Sequence, residues 1–230
     1  MNSSKSKSNN LSSVCAVIPF YNENTTLLKV IKETRNYVDF IFAVNDGSND
    51  DDYELVIREP NVKVIQHPKN YGKGKALSTG FSEAVKSGYR FTVTLDADLQ
   101  HDPKYIPNLL EGLNSFDIVI GNRLKNLDSM PYQRQLSNKI TSFLLTLKTG
   151  HNILDSQCGF RVYSAEVLKQ VSTIYSGFEA ESEILIKSAK KGFKIGFVDI
   201  PTVYGDEKSK MKSLQVIFGF TKVMLQRLED

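Results

Sequence analysis

Short apolar runs and amphipathic stretches alternate along the first half of the chain. Val14 to Pro19 is a continuous apolar run of the kind a buried strand carries, and Phe40 to Val44, Val62 to Gln66, Arg90 to Leu95 and Phe116 to Ile120 repeat the theme. Between them the spacing predicts helices. One starts at about Asn24, with Asn24 or Thr25 as N-cap and Leu27, Leu28, Ile31 and Tyr37 on one face. A second covers Tyr71 to Lys86 behind a glycine-rich lead-in, and a third runs from Pro103, at a first helical position, to about Leu113. Strands alternating with helices predict an α/β fold in which helices flank a mostly parallel central sheet. In such sheets ligands bind beyond the C-terminal ends of the strands, where the polar ends of these strands all lie.

The second half is less regular. Gln133 to Lys148 is helical in pattern, with Leu136, Ile140, Phe143, Leu144 and Leu147 on one stripe, a spacing that suits either a core helix or one lying in a membrane interface. Asp155 to Arg161 is loop-like, Gly177 to Lys191 helical, and Lys194 to Tyr204 a strand interrupted at Pro201. A last amphipathic helix is expected from about Met211 to Leu228, with Leu214, Ile217, Phe218, Leu225 and Leu228 at helical spacing. Neither a repeat nor a linker divides the chain. One domain over residues 14–230 is expected, behind a Ser-, Asn- and Lys-rich segment, residues 1–13, that is too polar to fold.

Composition narrows the classes of partner. With 230 residues, 40% hydrophobic and 24% charged, the chain can bury a substantial core. A formal charge of +3 is too small for a nucleic-acid binder, which carries a dense basic face. From Arg123 to Lys148, however, five basic residues face only Asp128, a patch for an anion or an acidic membrane surface or simply a solvated face. Cys15 and Cys158 make neither a disulfide framework nor a metal-site spacing, which fits the reducing cytoplasm. No signal-type apolar region and no stretch of about 20 apolar residues occurs, so membrane contact, if any, is expected to be peripheral and at the cytoplasmic face.

The densest chemistry is in Thr94-Leu95-Asp96-Ala97-Asp98-Leu99-Gln100. Asp96, Asp98 and Gln100 alternate, and in an extended segment they would share one face, where two carboxylates and an amide oxygen could hold a hard cation and leave positions open for phosphate oxygens. A nucleotide diphosphate is the implied ligand; a solvated turn is the plainer alternative. His101, next in the chain, reads as a polar loop residue. Tyr71-Gly72-Lys73-Gly74-Lys75-Ala76 fits neither phosphate-loop nor dinucleotide spacing and reads as a flexible lead into a helix beside the nucleotide.

Four ordered motifs together resemble the family 2 glycosyltransferases with the GT-A fold: Val17-Ile18-Pro19-Phe20-Tyr21-Asn22-Glu23, Val44-Asn45-Asp46-Gly47-Ser48, Asp96-Ala97-Asp98-Leu99-Gln100 and Ser156-Gln157-Cys158-Gly159-Phe160-Arg161. Within that family the chain is most similar to the polyprenyl-phosphate sugar transferases, the dolichol-phosphate mannose synthase group. The resemblance implies that Pro19, Tyr21 and Glu23 line the base and ribose, with Val44 and Asp46 closing the other side. It implies a Mg²⁺ or Mn²⁺ held by Asp96, Asp98 and Gln100, with Asp98 the surest ligand and Ala97 small enough to admit the donor. Arg123 would contact phosphate, Arg134 would be a second arginine for the acceptor, and Lys208 and Lys210 would belong to a lid over the diphosphate. Glu179, Glu181 and Glu183 would lie at the acceptor end. Asn45 departs from the pattern, since many relatives carry Asp there.

The activity so implied is inverting transfer of a hexose from a nucleotide-diphosphate sugar, of GDP-mannose or UDP-glucose type, to a polyprenyl or dolichyl phosphate. Asp98, Arg123 and Arg134 would carry it. A phosphate acceptor is already largely ionised near neutral pH, so the absence of an obvious general base fits. A hydroxyl-acceptor transferase and a non-catalytic sugar-nucleotide sensor are the rivals. Processive synthases are excluded because their Gln-x-x-Arg-Trp signature needs tryptophan, and the chain has none.

Overall fold

The computed structural model describes residues 13–49, 53–125, 130–201 and 220–224. A seven-stranded sheet forms its centre, in the order β3-β2-β1-β4-β6-β5-β7. The strands are β1 (Val14–Phe20), β2 (Phe40–Asn45), β3 (Val62–Gln66), β4 (Phe91–Thr94), β5 (Ile118–Asn122), β6 (Arg161–Ser164) and β7 (Ile195–Asp199). β1 is buried along its whole length, as a central strand covered on both faces must be. It pairs in parallel with β2 and β4, while β6 runs antiparallel between β4 and β5. The sheet is therefore mixed at one place, where the sequence suggested only a loop ending at Arg161.

Among the described residues the helices that flank it include α1 (Asn24–Thr34), α2 (Glu54–Ile57), α3 (Lys73–Lys86), α4 (Ile106–Gly112), α5 (Tyr132–Thr149), α6 (Ala165–Gln170) and α7 (Glu179–Lys190). α1 ends before Tyr37, which is exposed and lies outside the helical face expected for it, and its N-cap position is Glu23 rather than Asn24 or Thr25. Asp102 caps the turn at Pro103–Tyr105 by accepting from the Lys104 N–H at 3.0 Å, which sets the start of α4. α2 and α6 have no counterpart among the expected elements. β7 stops at Asp199, two residues before Pro201. Of the last expected helix only residues 220–224 are described, and they are helical. The segment 1–12, Lys208 and Lys210, which the resemblance implied for a lid, and most of the Met211 to Leu228 stretch lie outside the described residues.

α3 packs on β1 so tightly that a Cβ at Gly80 would sit 2.3 Å from Cγ1 of Val17. That contact fixes the start of α3 beside the C-terminal ends of β1, β2 and β4. The loops leaving those three strands come together at one edge of the sheet, and α5 and α7 close the far side.

Candidate active site

At that edge lies a cavity of about 940 Å³. The β1–β2 side supplies Pro19, Tyr21, Asn22, Glu23 and Asp46; the loop after β4 supplies Asp96, Ala97, Asp98 and Gln100. Arg123, Arg134, Asn138, Thr141, Glu179 and Glu181 line the remainder. All but two of the described positions implied by the family resemblance reach it. One exception is Val44, whose side chain is fully buried inside the sheet because its position in β2 turns it into the core; the other is Glu183 of α7, which is fully buried and does not line the cavity.

The β1 and β2 loops are tied together by Asn22. Its backbone N–H donates to Ser48 Oγ at 3.0 Å and its side-chain oxygen accepts from the Asn49 N–H at 3.1 Å. Asn22 has φ 53°, a left-handed conformation that asparagine tolerates better than most residues. Asn45 explains itself here. Its Oδ1 accepts from the Ser48 N–H (2.8 Å) while its Nδ2 donates to Gln66 Oε1 (2.9 Å), and an aspartate could not make the second bond.

Asp46 is a loop organiser as well as a wall. Its Oδ2 accepts from the Gly72 N–H (2.7 Å), and its Oδ1 accepts from the Tyr71 N–H (3.1 Å) and from His67 Nδ1 (2.7 Å). A carboxylate that accepts a bond from the ring requires the proton on Nδ1, which leaves Nε2 to meet Thr79 Oγ1 at 3.0 Å. The next residue has to be glycine: Gly47 has φ 73°, and a Cβ there would lie 2.3 Å from the Lys69 carbonyl carbon.

The acidic segment is not the extended face that its alternation suggested. β4 ends at Thr94, residues 97 and 98 form a turn, and Leu99 has φ 62°. A left-handed leucine costs on the order of 1–2 kcal/mol, and here the strain turns the chain at the cavity wall. Asp96, Asp98 and Gln100 therefore line the cavity around a bend. Asp98 Oδ1 accepts from the Gln100 N–H at 3.1 Å. Asp96 is engaged by Lys73, whose Nζ stands 2.7 Å from Asp96 Oδ1 and 3.2 Å from Glu181 Oε2. Burial alone would push Asp96 up, but Lys73 and more distant cations hold its carboxyl below the usual range. Lys73 itself is opposed by burial and raised by the two carboxylates, with a net rise.

Among the described residues no cluster of three His, Cys, Asp or Glu side chains could hold a metal ion unaided. What lines the cavity near the bend is Asp98 and Gln100, both hard oxygen donors, and they fit a Mg²⁺ or Mn²⁺ whose remaining ligands come from a bound diphosphate.

Arg123 lies at the cavity wall with its fork on Asp155: Nε to Oδ2 at 2.8 Å and Nη2 to Oδ1 at 2.9 Å. Burial would raise Asp155; Arg123 first, then Asn138, whose Nδ2 donates at 2.6 Å, hold it below the usual carboxylate range. Asn138 belongs to α5, so this buried network joins that helix to the cavity. Arg161 is fully buried and donates from Nε to the Cys158 carbonyl (2.7 Å) and from Nη2 to the Ser156 carbonyl (2.9 Å). It also lies 3.5 Å from Glu181 Oε1, which leaves Glu181 bracketed by two cations. Glu183 points elsewhere, accepting from Thr173 and from the Ile174 N–H and pairing with Lys187. His101 is buried against Phe160 rather than solvated, and burial pulls it down to about 4.

Residues 15–172 match the model of Glycosyl transferase family 2. The chain belongs to that family. As a family 2 glycosyltransferase it is 33% identical over 228 residues to a UDP-N-acetylglucosamine–dolichyl-phosphate N-acetylglucosaminyltransferase of Methanococcus voltae, covering 89% of this chain and 90% of the relative. It is 34% identical to a dolichol-phosphate mannosyltransferase of Pyrococcus furiosus, across 91% of this chain and 62% of that one. The transferase shares its GT-A fold with glucosyl-3-phosphoglycerate synthase of Mycobacterium tuberculosis, crystallised with Mn²⁺, UDP and phosphoglyceric acid. The TM-score is 0.74 at 20% identity, over 96% of this chain and 81% of the other.

Lys73, Asp155, Asn138 and the role of Arg161 were not singled out from the sequence. Lys73 had one available signal: a lysine at the first position of a helix opposes the helix dipole and needs a compensating anion.

Proposed function

We propose that this glycosyltransferase moves a hexose-type sugar from a GDP- or UDP-sugar to a polyprenyl or dolichyl phosphate, with inversion and with a divalent cation. The observation that supports it most is that one cavity is lined both by hard oxygen donors, Asp98 and Gln100, and by arginines, Arg123 and Arg134. Relatives named for dolichyl-phosphate acceptors at 33% and 34% identity favour the same acceptor class.

On this reading Pro19, Tyr21 and Glu23 receive the nucleoside, and Asp98 with Gln100 hold the cation, which when bound neutralises charge developing on the departing diphosphate. Arg134 orients the acceptor phosphate by a charge-assisted contact. An acceptor oxygen attacks the anomeric carbon, the bond from that carbon to the diphosphate breaks, and nucleoside diphosphate leaves. No residue has to take a proton from an acceptor that is already ionised. This matters because Glu181 is held by Lys73 and Arg161. Lys208 and Lys210 keep their proposed place in a lid over the diphosphate.

The test is a panel of GDP-mannose, UDP-glucose and UDP-N-acetylglucosamine with a short-chain polyprenyl phosphate and Mn²⁺ or Mg²⁺. A glycosyl phosphate of inverted anomeric configuration, lost with EDTA, is expected. Transfer to sugar hydroxyls with none to lipid phosphate would replace this reading with the hydroxyl-acceptor one.

A further inference from the structure

α5 carries apolar side chains on both of its sides. Its inner face combines Leu145, fully buried in the core, with two buried polar residues: Asn138 and Ser142 donate to Asp155 and Asn138 respectively, and Ser142 Oγ accepts from the Ser156 N–H at 2.9 Å. Its outer face carries Tyr132, Leu136, Ile140, Phe143 and Leu147, exposed by 74%, 47%, 51%, 62% and 67%. Steps of four, four, three and four place these five on one stripe, roughly 22 Å long at the rise of an α-helix. Isolated exposed leucines need no explanation, but an uninterrupted stripe of large apolar side chains does.

We propose that this stripe is the surface by which the protein docks on a lipid bilayer containing anionic phospholipid. The charge of the helix selects that occupant: α5 carries Arg134, Lys139 and Lys148 and no acidic residue from Tyr132 to Thr149. Apolar side chains flanked only by cations suit the boundary between acyl chains and anionic headgroups. A second copy of the chain suits it less. An isologous pairing centred on Ile140 would set Lys139 near its own copy with no carboxylate on either helix to compensate. The same helix lines the cavity through Arg134, Asn138 and Thr141, so docking would hold the cavity within one helix diameter of the membrane surface.

The inference rests on the lipid-phosphate reading for its purpose, but its test needs no turnover. The full chain is floated with vesicles of phosphatidylcholine, with and without phosphatidylglycerol, beside Ile140→Glu/Phe143→Glu and the milder Ile140→Ser/Phe143→Ser. Wild type should float, more strongly with phosphatidylglycerol. The glutamate pair should reduce the bound fraction roughly tenfold or more, the serine pair less, and both should keep wild-type transfer to a short-chain, water-dispersed acceptor. Equal flotation of wild type and variants overturns the proposal. So does a wild-type dimer that the glutamate pair dissociates, which would make the stripe a self-interface. A lowered melting point in both variants with flotation unchanged would mean that the chain itself covers the stripe, and also overturns it. A protein that floats yet glycosylates no lipid phosphate leaves the docking face standing and removes the acceptor reading instead.

Discussion

The ammonium of Lys73 lies 2.7 Å from Oδ1 of Asp96, where both side chains line the cavity and are partly exposed. Its second partner, Glu181, is 3.2 Å away on a different helix, so one lysine joins the start of α3, the end of β4 and the start of α7. Removing one member of a partly buried ion network leaves the others without their partner. Lys73→Met is expected to cost about 1–3 kcal/mol in denaturant unfolding, less than in a fully buried network because solvent reaches the cavity wall. The double variant Lys73→Met/Asp96→Asn should cost less than the two single losses added together, because it removes the stranded charge along with its partner. Simple additivity would show that the contact is not energetically coupled.

Asp96 and Asp98 should part company when mutated. Asp98→Ala is expected to abolish transfer with a smaller drop in melting point than Asp96→Ala, since Asp98 is half-buried and its Oδ1 accepts from the neutral Gln100 N–H, whereas Asp96 meets the Lys73 ammonium. Asp96→Ala should lower activity and stability together, because it frees Lys73 inside the protein. Manganese binding in the presence of nucleoside diphosphate, followed by electron paramagnetic resonance, separates the two. Asp98→Ala should lose the bound signal, and wild-type turnover in that variant would remove Asp98 from the mechanism.

β1 and β2 were legible because parallel strands covered on both faces are continuous apolar runs, and both lie within a residue of where such runs placed them; β3, an edge strand with no fully buried residue, was found from its β-branched residues instead. β6 was not, because Arg161 opens it. A fully buried guanidinium is paid for by the Ser156 and Cys158 carbonyls and by Glu181, partners that no local pattern reveals. The stripe on α5 was visible but not its direction: periodicity says which residues share a face, not whether that face looks in or out. The acidic segment was found for a sound reason with the wrong geometry, since the left-handed Leu99 bends what alternation would make extended. Lys73 escaped because a charge at a helix start draws attention only once its two anions are seen beside it.

Arg123 and Asp155 give a test that separates charge from shape. Arg123→Lys keeps the positive charge but cannot span both oxygens of Asp155 as the guanidinium does. It should lose stability by about 1–3 kcal/mol and lower transfer. Asp155→Asn, which also weakens the hold on Asn138, should loosen the junction between α5 and the cavity. Faster amide hydrogen exchange over residues 138–142 in Asp155→Asn is the expected signature. Unchanged exchange there would mean that α5 is held by its apolar contacts alone.

Gly159 marks how little room the ion pair has. A Cβ at this position would stand 2.5 Å from Oδ2 of Asp96 and 2.9 Å from Nζ of Lys73. Gly159→Ala must therefore displace one of them, at an overpacking cost of about 1–3 kcal/mol. The loss of transfer should exceed what the lost stability explains, measured well below the melting point. Gly88→Ala is the comparison: its Cβ would meet nothing within 4 Å, though φ 79° strains it, so it should destabilise with little effect on turnover.

His101 links the site to pH through stability. Burial pulls its folded value from 6.5 to about 4, and its Nδ1 has no hydrogen-bond partner among the described residues. The unfolded chain takes up a proton below 6.5 that the folded chain refuses until about 4. The neutral ring's contribution is therefore complete above pH 6.5 and is lost progressively down to about pH 4, some 3 kcal/mol in all as an order of magnitude. His101→Phe, which keeps a ring beside Phe160 and removes the titration, should flatten stability between pH 6.5 and 4.5 in urea unfolding. If the variant falls as steeply as wild type over that interval, the acid sensitivity belongs to other groups and His101 is protonated in the folded protein as readily as in the unfolded one.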